Sequence, residues 1–176
     1  MFNDKYGLTQ AVLDGRKTMT RRMINVNIDS TLIDSTSRVH YIDDLIKVAS
    51  RYQVGEIVAV AQSYKTLANG GYIDFITVSV SRFKKEYCGA GYTNKMFTKA
   101  DLMPHHIRIT NIHVERLQDI SDEDCLREGI SYDAKNDAYF VCGIKSIAQT
   151  PKVMFETLID KVSSKGIWER NPYVFV

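Results

Sequence analysis

Hydrophobic and polar positions change period several times along the chain, and each change predicts an element. Leu8-Thr9-Gln10-Ala11-Val12-Leu13-Asp14-Gly15 predicts a short helix, with Thr9 as its N-cap and Gly15 where a left-handed residue ends it. Residues 25 to 50 are rich in Asn, Asp, Ser and Thr, with weak periodicity, and predict an excursion holding a short helix around Ile42 to Val48. Val54-Gly55-Glu56 then leads into Ile57 to Ala61, whose small and β-branched residues predict a buried strand. From Tyr72 to Phe83 one alternating set is mostly apolar and the other mixed, as in a sheet with unequal faces. Cys88 to Gly91 reads as a loop.

Beyond Pro104, alternation from His106 to Leu117 predicts one long strand with a bulge near Asn111-Ile112. Ser121 caps a brief helix over Asp122 to Glu128 that stops at Gly129. Tyr132 to Val141 is either a hairpin or an irregular loop. The clearest helix opens at Thr150-Pro151, shows Phe155, Leu158, Ile159 and Val162 on one face, and closes at Gly166. Pro172 to Val176 has strand composition. The order is mixed α+β, without an internal repeat.

Composition narrows the class. The 176 residues, 44% hydrophobic and 25% charged, fit one globular domain spanning 1–176. The net charge of +2 is too small for binding driven by overall charge, so any nucleic-acid site must be a local patch. Cys88, Cys125 and Cys142 have neither disulfide nor zinc-site spacing, which fits a reducing compartment. The N-terminus carries no leader pattern, and no apolar run nears the roughly 20 residues of a membrane span. The expectation is a soluble cytoplasmic protein without a membrane partner.

The charges are unevenly placed. Arg16-Lys17-Thr18-Met19-Thr20-Arg21-Arg22 holds four cations and no anion, suited to phosphate or a polarised carbonyl, and otherwise a solvated turn. Lys17 and Thr20 can cooperate only if this backbone is not extended. Glu115 to Glu128 is its counterpart, with six acids against Arg116 and Arg127. Asp122, Glu123 and Asp124 are explained by the helix dipole, whereas Glu128, at the unfavourable end, calls for a cationic partner or a function. Adjacent His105 and His106 diverge in an extended chain and lack metal-site spacing, so neither a metal nor a cofactor is expected. Cys125 reads as a small packed hydrophobe rather than a nucleophile.

Gly15-Arg16-Lys17-Thr18-Met19-Thr20-Arg21-Arg22, then Val54-Gly55-Glu56 before a strand, Ile112 to Leu117 with Ser121 to Glu128 behind it, and Trp168 with Asn171-Pro172, together resemble the ASCH family of the PUA-like superfamily. The resemblance covers most of the chain, with residues at about 25–50 and 65–95 resembling family-variable insertions. It implies a small, partly open β-barrel with flanking helices and a basic cleft that binds RNA or a modified nucleoside. Arg16, Lys17, Thr20, Arg21 and Arg22 would line that cleft. Some small members are amidohydrolases acting on acetylated cytidine, and their lysine, threonine and glutamate fall on Lys17, Thr20 and Glu128, with Glu123 a competitor for the last.

Three readings follow. The first is an RNA- or nucleoside-binding domain. The second is an amidohydrolase for N4-acetylcytidine or a related amide, in which Lys17 takes the Thr20 proton, Glu128 orients the lysine, and Arg21 or a backbone N–H holds the oxyanion. The third is a protein-interaction module without ligand chemistry, which predicts a large exposed apolar patch.

Overall fold

In the computed structural model the described residues are 2–24, 38–72 and 90–176. They form helices and short antiparallel strands in the mixed α+β order, and divide into two compact units. Among the described residues no sheet closes into a barrel.

The smaller unit comprises Met1–Phe2 and Ile57–Arg108. Strand β2, Ile57–Ala59, pairs antiparallel with β3, His106–Arg108, in the register Val58 to Ile107. Helix α3, Tyr64–Asn69, follows, its first turn closed by the Ser63 side chain accepting from the Thr66 amide. Tyr64 and Leu67 of this helix pack with Met103 in a core of their own. The alternating segment from 73 to 83 lies outside the described residues.

The larger unit comprises Asn3–Glu56 and Ile109–Val176. Its first helix, α1, is Leu8–Leu13. Gly15, at φ +72°, ends it in the left-handed region as the sequence predicts. The cap at its other end differs: Gly7, at φ +65°, occupies the N-cap, and the Thr9 hydroxyl instead donates to Asp4 Oδ1. Helix α2, Arg38–Ala49, contains the predicted Ile42–Val48. Its Tyr41, Ile42, Leu45 and Ile46 pack against Val114 and Phe175.

Three strands form the central sheet in the order β1 (Arg22–Met23), β7 (Tyr173–Phe175), β4 (Val114–Arg116). The register joins Met23 to Val174 and Glu115 to Val174, so β7 is paired on both edges. The long strand expected from His106 to Leu117 is therefore two strands. Its two ends join different sheets, β3 with β2 and β4 with β7, and the residues between belong to neither strand. The slip in alternation near Asn111-Ile112 falls between the two strands, where the chain leaves one sheet for the other.

Helix α4, Asp122–Arg127, starts on Ser121, whose hydroxyl accepts from the Asp124 amide, and turns out at Gly129, φ +101°. Strands β5, Ser131–Asp133, and β6, Ala138–Phe140, settle the 132–141 alternative as a hairpin. Helix α5, Pro151–Val162, has the predicted Thr150 cap and buries Met154, Phe155, Leu158 and Ile159, while Val162 is exposed. It ends at Ser163 rather than Gly166. Gly166 instead opens a last short helix, Ile167–Arg170, because the Asp160 carboxylate accepts the Gly166 and Trp168 amides at 2.8 and 3.1 Å. Those amides hold the Asp160 carboxyl below its ordinary value. No described helix is long and apolar enough to cross a membrane.

Candidate functional site

The segment after Gly15 is bent. Both the Thr18 and Met19 amides donate to the Arg127 carbonyl, at 2.9 and 3.1 Å, and the Lys17 amide donates to Ala11 at 2.9 Å. An extended chain points successive amides to opposite sides, so two consecutive donors on one carbonyl require a turn. The basic segment is thereby seated on the C-terminal end of α4. Gly129 makes room for it: a Cβ there would meet Leu8 Cδ2 at 3.3 Å and Lys17 Cβ at 3.6 Å.

Lys17 is carried inside by this turn, and its side chain is only 3% exposed. Its amine donates to the Met19 carbonyl at 2.7 Å, the Glu128 carbonyl at 2.9 Å and Glu128 Oε2. Three convergent oxygens match the three donors of an ammonium group. Burial pulls the Lys17 amine below an ordinary lysine, against the pull of Glu128, and the nearby Arg22 and Arg21 add to the lowering. Stability should accordingly rise with pH through the interval between the folded and unfolded values, where the unfolded chain holds the proton more tightly.

Arg21 and Arg22 take opposite sides because the chain is entering β1, where side chains alternate. Arg22 is exposed, and the Arg21 side chain is fully buried. The Arg21 Nε and Nη2 donate to Glu115 Oε1, at 2.8 and 2.7 Å. Its Nη1 reaches Glu128 Oε1 at 3.3 Å, and Nη2 also faces Asp124 Oδ2 at 3.5 Å. The Phe155 ring covers the guanidinium, 6.0 Å from its centroid. Outward, Glu115 Oε2 lies 3.3 Å from His113 Nε2.

The basic and acidic segments thus meet, with two cations facing three carboxylates. Glu128 has the cationic partners that its place at a helix C-terminus demanded. Glu123 is exposed and pairs with Arg127 one turn on, not with Lys17. Thr20 is half-buried, and its hydroxyl is not one of the three oxygens around the Lys17 amine. Arg16 is exposed, with Nη2 on Asp14 at 3.1 Å and Nη1 on the Ser131 hydroxyl at 3.3 Å. Of the expected cleft-lining residues, Lys17 and Arg21 lie inside the network and Arg16 and Arg22 outside it.

Glu115 and Asp124 are the members that sequence reasoning did not assign. Asp124 is accounted for by the helix dipole alone, which hides its second partner. Glu115 leaves a trace, a carboxylate that faces away from Val114 and Arg116 in a strand paired to the buried Val174.

Cys125 sits beside this network with its thiol pushed up to about 12, first by burial and then by Asp122. In the folded protein at neutral pH, iodoacetamide followed by peptide mapping should leave Cys125 unmodified and label the exposed Cys142. Among the described residues no three His, Cys, Asp or Glu side chains converge to hold a metal ion. Compared with known proteins, the chain matches no family model, no curated protein and no solved structure.

Proposed function

We propose that the chain is an ASCH-like domain of the PUA-like superfamily, its short strands belonging to a partly open barrel, that deacylates N4-acetylcytidine or a related nucleoside amide. The observation that carries this reading is the buried contact between Lys17 and Glu128 in a bent segment with Thr20 three residues on. A desolvated amine–carboxylate pair costs free energy that a well-packed apolar pair would not. Its presence therefore favours a chemical role. In the proposed reaction Lys17, its amine displaced downward by burial, gives up its proton to solvent, and the neutral amine, oriented by Glu128, takes the Thr20 hydroxyl proton. The Thr20 oxygen attacks the acyl carbonyl, the nucleoside amine leaves with the proton that Lys17 took, and water then cleaves the acyl-threonine, releasing the carboxylic acid and restoring the Thr20 hydroxyl. The oxyanion donor is a backbone N–H, since Arg21 is committed to carboxylates.

Incubating the protein with N4-acetylcytidine should release cytidine, and Lys17→Ala, Thr20→Ala or Glu128→Gln should each slow release by about 100-fold or more. The rate should rise with pH and level off below the ordinary lysine value, because the amine is displaced downward. No turnover by the unmodified protein would overturn the reading.

RNA binding is favoured separately by the outward placement of Arg16 and Arg22. Arg16→Glu with Arg22→Glu should weaken binding and flatten its salt dependence. Binding unchanged by both would remove that reading.

A further inference from the structure

We propose that Arg21 is a positioning residue: anchored on Glu115, its guanidinium fixes the rotation of the Glu128 carboxylate so that one oxygen is turned onto Lys17. This rests on the reading of Lys17 and Glu128 as the reacting pair.

The guanidinium is a planar fork, so fixing one edge aims the other. Here Nε and Nη2 both donate to Glu115 Oε1, which sets the plane from β4. The remaining nitrogen, Nη1, then points to Glu128 Oε1. With Oε1 held, the planar carboxylate has one free oxygen, and that is Oε2 on the Lys17 amine. Asp124 also faces Nη2, and the Phe155 ring lies over the guanidinium, so both add contacts to this orientation of the fork. Glu115 itself touches neither Lys17 nor Glu128 among its recorded partners, so its influence on the pair runs through Arg21.

Two roles for Arg21 predict opposite signs. As a nearby positive charge alone, it disfavours the charged lysine, and its removal raises the Lys17 pKa. As a clamp, it delivers the carboxylate that favours the charged lysine, and its removal lowers that pKa.

The experiment is NMR titration of the Lys17 side chain in the intact protein, comparing the parent with Arg21→Lys, Glu115→Ala and Glu115→Gln. Arg21→Lys keeps the charge and loses the fork. Positioning predicts a Lys17 pKa lowered by about one unit or more in Arg21→Lys and in Glu115→Ala, with Glu115→Gln close to the parent because it keeps an acceptor. An unchanged or raised value in Glu115→Ala overturns the proposal, and this variant decides the matter if Arg21→Lys does not fold. Turnover of N4-acetylcytidine is read alongside. If the parent turns over, the high-pH plateau of kcat should fall in the first two variants with KM held. If the parent does not, the enzymatic reading fails while the titration still decides the role of Arg21.

Discussion

Lys17→Met should destabilise the protein by about 3–5 kcal/mol in urea unfolding, the largest effect expected of any single charge. The substitution keeps most of the volume and removes the ammonium, so a packing loss contributes little. What remains is Glu128 Oε2 and two backbone carbonyls, buried without their donor. Arg21 still contacts the other carboxylate oxygen, which places the expectation toward the lower end of that range. The double variant Lys17→Met with Glu128→Leu should recover at least half of the loss, because it removes the orphaned charge as well. A single-variant cost below about 1 kcal/mol would mean that water screens the pair, contrary to its burial.

Phe155→Ala should be comparably damaging, at about 3–5 kcal/mol, or a fall in melting temperature of about 10 °C for a domain of this size. Its ring is 1% exposed, lies edge-on to Trp168 at 6.2 Å and forms the apolar lid over Arg21. Truncation removes both contacts and opens a route for water to the ion network. Phe155→Leu, which retains most of the volume, should cost much less. Equal costs for the two variants would show that the lid over Arg21, rather than the cavity, dominates.

Local rules were legible in the sequence where one residue and its own amides decide the outcome. Ser121, Thr150-Pro151 and Gly15 each act within a turn of themselves, and all three occupy the expected positions. Thr9 and Gly166 do not, because a carboxylate more than one turn back intervenes in each case, Asp4 for Thr9 and Asp160 for Gly166. The site was legible as two segments of opposite charge, but not as a set of partners. Which cation turns inward depends on where β1 begins, a matter of one residue, and that phase is set by pairing with β7.

The pairing of β7 also fixes an order of events. The register links Met23 and Glu115 through Val174, so neither outer strand has its hydrogen-bonded neighbour until the chain near residue 174 has arrived. Closing that separation is entropically slow, and contacts of such range form late in folding. Arg21, one residue before β1, and Glu115, within β4, are held at their mutual distance by this late strand. Until β7 pairs with both neighbours, Arg21 and Glu115 are separate, solvated groups, and their contact is acquired with that strand.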